Sequence, residues 1–574
     1  MKTVEDIKIA SSGLRGGIEE TLRSDASHFE DENRELMKFH GSYQQDDRDL
    51  RMERKKAGLD KAWQFMVRSK IPGGDLTAEQ YLMHDRMCDD LGNGAIRLTN
   101  RQGIQTHGVL FGSLKECIRR INESGLTTWG ACGDIVRNTV AAAVPRQDAV
   151  HREVQALARE ISRTFYAASH GYSEIWLDAE KISEEPPDPL YKDRYLPRKF
   201  KIGIAVPPHN DIDVFTQDAG LVADVENGKI LGYTLHVGGS FGMSFGQIAT
   251  RPALSQPLGY VEKAHVIEAL KTVVSVQRDF GRRDDRKQAR LKYLILDKGV
   301  AWFRERVIER LDAPLLPPKP AVFHSVEDVL GWHEQGDGKY FYGLCIPSGR
   351  IRDTETVRSR TALREICRQF TPRLRITANC NLYLYGLNAG ARQPLLDLLA
   401  QQGLTPAESL TRASRMAHAC VALPTCGLAL AESERVFGRL MVKIDAILRE
   451  LDLAEEPILF RMSGCPNGCP RPYNADFAFV GRAPGKYAIY IGGSHRGDSM
   501  AGMVEKSVPF DDLTSRVHAV LTAFVNERRP GEAFGDYWRR TQTPGEVPSA
   551  EQFHMELAER QTRLATEKTV VAAS

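Results

Sequence analysis

Cys420 and Cys426 in ACVALPTCGLA, with Cys465 and Cys469 in SGCPNGCPRPY, give the last third of the chain two close pairs of thiols. Four thiolates converging on one point make the ligand set of an iron-sulfur cluster. Each pair lies in a loop able to fold back on itself. Pro424 breaks the first loop, while Pro466, Asn467, Gly468 and Pro470 make the second a tight turn of residues that tolerate unusual backbone angles. Gly464 leaves room just before it. Structural zinc, disulfides and inert buried thiols are the competing readings of the same residues. Zinc usually takes Cys-x2-Cys to Cys-x4-Cys spacings and disulfides need an oxidising compartment, and neither condition is met cleanly.

A second set is basic: Arg68 in FMVRSKIPGG, Arg97 and Arg101 in IRLTNRQ, Arg137 in GACGDIVRN, and Arg198, Lys199 and Lys201 in YLPRKFK. Any one of them alone reads as a solvated surface charge. Arg68, Arg97 and Lys201, however, alternate with or adjoin apolar residues at strand-like spacing beside Gly or Pro turns. Guanidinium and ammonium groups facing one cavity are what a small oxyanion, or a cofactor with many carboxylates, requires.

The elements that must position these groups are mixed α and β. Strands are predicted in PILFRMSG, entering the second cysteine loop, in ADFAFVG (Ala475 to Gly481), leaving it, and in KYAIYIGG. This puts Cys465 and Cys469 between strands and Cys426 just ahead of a helix, whose N-terminus would favour an anionic cluster. That helix shows Val436, Leu440, Ile444, Ile447, Leu448 and Leu451 on one face. A later one, Asp512 to Arg528, shows Leu513, Val517, Val520, Leu521 and Phe524.

Larger organisation is visible as repetition. RLTNRQGIQTHGV (Arg97 to Val109) is echoed by RITANCNLYLYGL (Arg375 to Leu387), IPGG at Ile71 by IPSG at Ile346, and NGKILGYTLHVGGS (Asn227 to Ser240) by PGKYAIYIGGS (Pro484 to Ser494). Three echoes in one order indicate an internal duplication, each half a smaller strand-and-helix unit followed by a larger one. The junction of such halves is a natural place for a cofactor.

With 574 residues, 42% hydrophobic and 26% charged, and a net charge of +2, the chain reads as a soluble multidomain protein with no blocks of charge for nucleic acid. It contains no apolar run of membrane-spanning length, since the stretch from Met416 to Ala431 is broken by Pro424. The N-terminus lacks a signal-peptide pattern, and ten cysteines without a disulfide framework fit a reducing cytoplasm. Residues 1–50 read as a charged arm with a partly ordered terminus. The tail from about Glu551 reads as helical before it frays.

Taken together, the two cysteine pairs, KFHGSYQQDDRD (Lys38 to Asp49), IRLTNRQ, GACGDIVRN and YLPRKFK resemble the sulfite reductase hemoproteins, a branch of the siroheme sulfite and nitrite reductases, over nearly the whole chain. The resemblance implies an α+β, internally duplicated fold with a pseudo-two-fold arrangement of ferredoxin-like units (51–145 and 321–405) and larger siroheme-binding domains (146–320 and 406–574), after the arm at 1–50. It implies a 4Fe-4S cluster on Cys420, Cys426, Cys465 and Cys469, with Cys469 also bridging to the siroheme iron. It assigns anion binding to Arg68, Arg137, Lys199 and Lys201, and siroheme carboxylate contacts to Arg97 and Arg101. The implied reaction is six-electron reduction of sulfite to sulfide for cysteine biosynthesis.

Siroheme nitrite reduction is the near alternative and a zinc-binding scaffold the distant one. The segment Gly103, Ile104, Gln105, Thr106 departs from the family's usual residues before His-Gly. GNGAIR at Gly92 carries Arg97 where a dinucleotide fingerprint needs glycine. Electrons are therefore expected from a separate flavoprotein subunit or ferredoxin.

Overall fold

The computed structural model describes residues 2–167, 176–177, 180–181 and 188–542. The expected helix from about Glu551 lies outside them. The described chain packs as two compact bodies. The larger comprises the described residues of Met1–Gly238, Ser255–Phe323 and Asp328–Ser409, and the smaller those of Gly239–Leu254, His324–Glu327 and Leu410–Ser574.

Two five-stranded antiparallel sheets of the larger body are copies of each other. The first runs Ser42–Asp46, Trp63–Ser69, Ile104–Val109, Ile96–Leu98, Arg350–Ile351, and the second Gly331–Glu334, Tyr340–Leu344, Leu382–Leu387, Arg373–Ile376, Asp75–Leu76. The last strand of each comes from the other repeat: Arg350 and Ile351 pair with Arg97 and Ile96, while Asp75 and Leu76 pair with Arg375 and Leu374. Glycine makes the exchange possible. A Cβ on Gly74 would stand 2.4 Å from the carbonyl oxygen of Ile376, and one on Gly349 would stand 2.8 Å from that of Leu98. Both glycines have positive φ, and the turns in which they sit are the echoed IPGG and IPSG.

The alternating apolar residues of these sheets form one continuous core, in which Leu76, Ile96, Leu98 and Ile104 mix with Leu344, Ile351, Leu374 and Leu384. Helix Ser359–Phe370 of the second repeat is fixed to helix Ala78–Asp90 of the first by Arg360. Its Nε donates to Asp85 Oδ1 at 2.9 Å and its Nη2 to Asp89 Oδ2 at 2.9 Å.

The larger units repeat as well. In the larger body the sheet order is Val140–Ala141, Ile202–Ala205, Ala219–Glu226, Lys229–Val237, Gln256–Glu262, and in the smaller body it is His418–Ala419, Phe460–Ser463, Phe477–Ala483, Lys486–Ile491, Gly502–Pro509. Both sheets pair parallel, parallel, antiparallel, antiparallel in that order. The fold is thus α+β and duplicated, as expected.

Helix Glu434–Glu450 buries Leu440, Ile444, Ile447 and Leu448 together with Phe437 and Met441, so its apolar stripe is wider than the predicted one. Helix Leu513–Glu527 buries Leu513, Val517, Leu521 and Phe524.

The first fifty residues correct the reading of a partly ordered terminus. Helices Val4–Ala10, Ile18–Arg23 and Asp31–Met37 pack down, and Ile7, Leu14 and Leu36 join the same core as Ile135 and Leu196. Charged spacing concealed this because the decisive inward residue is itself a lysine, Lys8. Among the described residues no helix is long and apolar enough to cross a membrane.

Candidate functional site

The cysteine loops lie in the smaller body. Strand Phe460–Ser463 runs into Cys465 and Cys469, and strand Phe477–Ala483 runs out, as the pattern of strand formers predicts. Gly464 holds the two loops together. Its N–H donates to Cys420 Sγ at 3.2 Å, and its carbonyl accepts from Leu430 and Ala431 at 2.8 and 3.1 Å. Only glycine fits there, since an added Cβ would stand 2.6 Å from Ala422 Cβ.

On the other side, Asn467 Nδ2 lies 3.5 Å from Cys465 Sγ, and Tyr473 Oη donates to the carbonyl of Pro466 at 2.9 Å. The same carbonyl accepts from Met243 N–H at 3.2 Å. The fully buried Arg461, which sequence reasoning passed over, donates from Nη1 to the carbonyl of Arg471 and to Asn474 Oδ1, both at 2.9 Å.

Helix Glu434–Glu450 begins eight residues after Cys426, so the expectation that its N-terminus directly follows that cysteine is corrected. The backbone N–H of Glu434 instead donates to the carbonyl of Cys420 at 3.1 Å.

Burial pushes the Cys420 thiol up to about 12, and the nearby thiols of Cys469 and Cys426 push the same way. Burial raises Cys465 too, with Cys469 and Cys420 adding to it. The four thiols therefore share one locality, Cys465 buried and Cys469 exposed. Among the described residues no three Cys, His, Asp or Glu side chains are grouped to hold a single metal ion. Four neighbouring thiols on two loops are a ligand set of the kind a 4Fe-4S cluster takes. The N–H groups aimed at sulfur would stabilise the deprotonated ligands.

The basic residues lie in the larger body and converge on two places. At the first, the segment Leu196 to Lys201 is zipped to the loop that carries Arg137. Leu196 N–H donates to the carbonyl of Asp134 (3.1 Å), Phe200 N–H to that of Ile135 (3.1 Å), and Arg137 N–H to that of Phe200 (2.8 Å). Two buried carboxylates bracket the segment. Asp134 takes Arg286 at 3.1 Å and Arg198 at 3.5 Å, while Asp218 takes Arg290 at 2.7 Å and the backbone N–H of Lys201 at 2.9 Å.

Lys199 is held well below the ordinary lysine pKa by burial and then by Arg198, Arg290, Lys201 and Arg137. Among the described residues no hydrogen bond or ion pair engages its ammonium. Arg68, Arg137 and Arg198 in turn act on the hydroxyl of half-buried Tyr43, a residue sequence reasoning left unassigned. Arg68 Nη1 also donates to Cys132 Sγ at 3.2 Å, and Arg137 Nε to the carbonyl of Gly133 at 2.8 Å.

The second place is the first ferredoxin-like sheet, where Arg68, Gln105, Arg97 and Arg350 stand opposite one another on four adjacent strands. Directly opposed residues share a face. With its amide oxygen turned to Arg68, Gln105 accepts from Nε at 3.1 Å. His107, two residues along, is held well below the ordinary histidine pKa by burial and by Arg350, Arg97 and Arg68.

Arg101 does not join this row. Its Nη1 donates to Gln217 Oε1 at 2.5 Å and its Nη2 to the carbonyls of Asn138 and Ile202, the latter at 3.0 Å. It stitches the Arg137 loop to the strand after Lys201. Arg350 is the residue most clearly missed by sequence reasoning, although the echo of IPGG in IPSG runs straight into it.

A family model described as nitrite and sulphite reductase 4Fe-4S domain matches residues 158–315, and one described as nitrite/sulfite reductase ferredoxin-like half domain matches 60–124 and again 333–402. The sulfite reductase (NADPH) hemoprotein beta-component of Staphylococcus saprophyticus is 42% identical over 555 residues, covering 96% of this chain and 97% of that protein. The protein of the same description from Oceanobacillus iheyensis is 43% identical over 554 residues, 96% of each. The solved structure of the NirA protein of Mycobacterium tuberculosis shares the fold, with a TM-score of 0.76 at 24% identity over 94% of this chain and 97% of that one.

Proposed function

The chain belongs to the nitrite and sulphite reductase family, and from that premise we propose that it is the hemoprotein component of an assimilatory sulfite reductase, taking sulfite to sulfide with six electrons that originate in NADPH. The observation that carries the choice of chemistry is the convergence of Arg137, Lys199 and Lys201 around segments zipped together by backbone hydrogen bonds, with Arg68 and Arg137 both acting electrostatically on Tyr43.

When bound, siroheme and a 4Fe-4S cluster would supply the redox chemistry and the path for electrons. Cys420, Cys426, Cys465 and Cys469 would hold the cluster, and Cys469, the exposed member, would also ligate the siroheme iron. Arg97 would take a siroheme carboxylate. Arg101 would support it indirectly, by fixing the segments at Asn138 and Ile202.

The chain's own residues then have two tasks. Sulfite is a dianion, and Arg68 and Arg137, guanidiniums that stay charged, draw it in and orient it. Each sulfur–oxygen bond that breaks sends its oxygen away as water and consumes protons. Lys199, whose proton is loosened by burial and by like charges, is suited to deliver one, and Lys201 stands beside it. The buried pairs Asp134 with Arg198 and Asp218 with Arg290 keep neighbouring cations in place without taking the lysine.

Electrons would arrive from a separate flavoprotein component, with ferredoxin as the other donor to be compared. The test is anaerobic purification with a visible spectrum, followed by parallel reduction of sulfite and nitrite with an artificial donor, then with NADPH and a flavoprotein component against reduced ferredoxin. A haem-like spectrum and a higher kcat/KM for sulfite are expected, and a higher value for nitrite overturns the assignment. Lys199→Met and Lys201→Met should lower turnover far more than siroheme content, and equal losses would defeat the proton-delivery role.

A further inference from the structure

Lys70 directly follows strand Trp63–Ser69, two residues beyond Arg68, and its backbone N–H donates to the carbonyl of Thr127 at 2.7 Å. The residue is 3% exposed. Among the described residues no hydrogen bond or ion pair engages its ammonium, and the one charge that acts on it is the guanidinium of Arg137. A buried cation whose neighbour is another cation costs stability. The turn does not require it, since the echo of IPGG in IPSG sets Cys345 at the same place in the second repeat.

The ammonium borders both solvent and site. Its Nζ lies 5.8 Å from the centre of the Tyr166 ring, and that tyrosine is 47% exposed. Nζ also sits against Gly130, 3.8 Å from where a Cβ on that glycine would stand. The next residue, Ala131, presents the carbonyl that accepts from Arg68 Nη1 at 3.4 Å and from Arg137 Nη1 at 3.0 Å. Lys70 is thus placed between a solvent-facing ring and the turn that receives both anion-drawing arginines. Burial, and then Arg137, lower its pKa to about 8, so it gives up a proton far more readily than an ordinary lysine. Arg137 acts on Lys199 as well, which makes the two lysines neighbours of one guanidinium.

The proposed reduction has a use for such a group. Sulfite, six electrons and six protons give sulfide and three waters, and neither arginine releases a proton. Lys199 carries one dissociable proton at a time, so it must be reloaded between steps. We propose that Lys70 is a proton-relay residue that reloads the cationic site from the solvent beside Tyr166, acting on the reaction through Lys199. In each cycle a Lys70 N–H bond breaks and its proton passes inward by way of water. The neutral amine then forms a new N–H bond with a proton from bulk solvent, and no electron moves through the lysine. Use of the relay for sulfite rests on the proposed function, but a proton path from solvent to the site does not.

The experiment uses the full chain purified with its cofactors, as wild type, Lys70→Met, Lys70→Arg and Lys70→Ala. Siroheme per chain, the thermal midpoint, and kcat and KM for sulfite with an artificial donor are measured, the kinetics in water and in deuterium oxide. Lys70→Met and Lys70→Arg should each lower kcat about tenfold, with siroheme content and KM within about twofold of wild type. Arginine keeps the charge and withholds the proton, so a purely electrostatic lysine would leave Lys70→Arg active. The solvent isotope effect on kcat should grow in both variants, because proton supply becomes limiting. Lys70→Met, which removes a buried charge, should melt no lower than wild type.

Propylamine replaces the part of the side chain lost in Lys70→Ala. It should raise the kcat of that variant about threefold or more, saturably, and leave wild type unchanged. A merely structural lysine would not respond to a free amine in this way. Wild-type kcat in either Lys70→Met or Lys70→Arg, a siroheme content or midpoint that falls in step with kcat, or a Lys70→Ala variant that propylamine does not raise, overturns the proposal. A wild-type protein that prefers nitrite overturns the sulfite assignment alone, because reduction of nitrite to ammonia also consumes protons and the same variants measured with nitrite still read the relay.

Discussion

Lys8 and Asp134 lie 3.9 Å apart, and neither side chain is exposed to solvent. The lysine belongs to the first helix and the aspartate to the loop that carries Arg137. Lys8 Nζ also donates to the carbonyl of Leu196 at 3.0 Å and pairs with Glu5, so the N-terminal helix grips both segments that present the cationic residues. Lys8→Met should destabilise the protein by about 3 kcal/mol, because it leaves a buried carboxylate with one fewer partner and a buried carbonyl without its ammonium donor. Denaturant midpoints check this.

Asp134 also gives the pH signature of the contact. Burial opposes its ionisation, but Arg286, Arg198 and Lys8 outweigh burial and hold it well below the usual carboxylate range. A carboxylate with a depressed folded pKa contributes stability that is present above about pH 4 and lost as pH falls below it. Asp134→Asn should therefore remove part of the acid-side slope, and an unchanged slope between about pH 4 and pH 2 would contradict the pairing.

Gly464 has no room for a methyl group between Ala422 and the carbonyl of Ala431. Gly464→Ala must part the two cysteine loops, which should lower iron and acid-labile sulfide per chain and cost about 2 kcal/mol or more. Gly427, also beside a cysteine but with nothing within 4 Å of an added Cβ, is the control. Gly427→Ala should keep its iron, and similar losses in both variants would remove the steric explanation.

Asp476 is buried, and its carboxyl is pushed up to about 7, chiefly by that burial. Its Oδ2 accepts from Leu459 N–H at 2.9 Å, and Arg539, Asp536 and Arg461 are the charges that act on it. With the folded pKa raised above about 4, its contribution to stability is fully present below pH 4 and is lost as pH rises through about 7. Asp476→Asn keeps an acceptor for Leu459 and removes the charge. The variant should gain on wild type by up to ~4 kcal/mol between pH 4 and pH 8, and parallel stability curves would contradict this.

What the sequence discloses follows from how local each signal is. The thiol pairs, their turn residues and the strands at 460–463 and 477–483 are legible because spacing and strand propensity act within a few residues. The duplication is legible because echoes need no contacts. Arg350 is not, since its strand is two residues long and its partner strand lies about 250 residues earlier. Lys8 is not either, because a lysine in a charged segment reads as solvated until Asp134 and the Leu196 carbonyl are brought to it. Arg101 carries the right charge, but hydrogen bonds to distant carbonyls determine what that charge does.

The exchange of Asp75–Leu76 for Arg350–Ile351 bears on how the two repeats could diverge. Each sheet is completed by a strand under selection in the other repeat, so neither copy can be deleted, or unfold alone, without opening the edge of its twin. Redundancy in architecture was thereby locked in while redundancy in charge was not. Each repeat keeps two of the arginines on the directly opposed rows of these sheets, Arg68 and Arg97 in the first and Arg350 and Arg375 in the second, and the exchanged strands gather three of the four on one sheet.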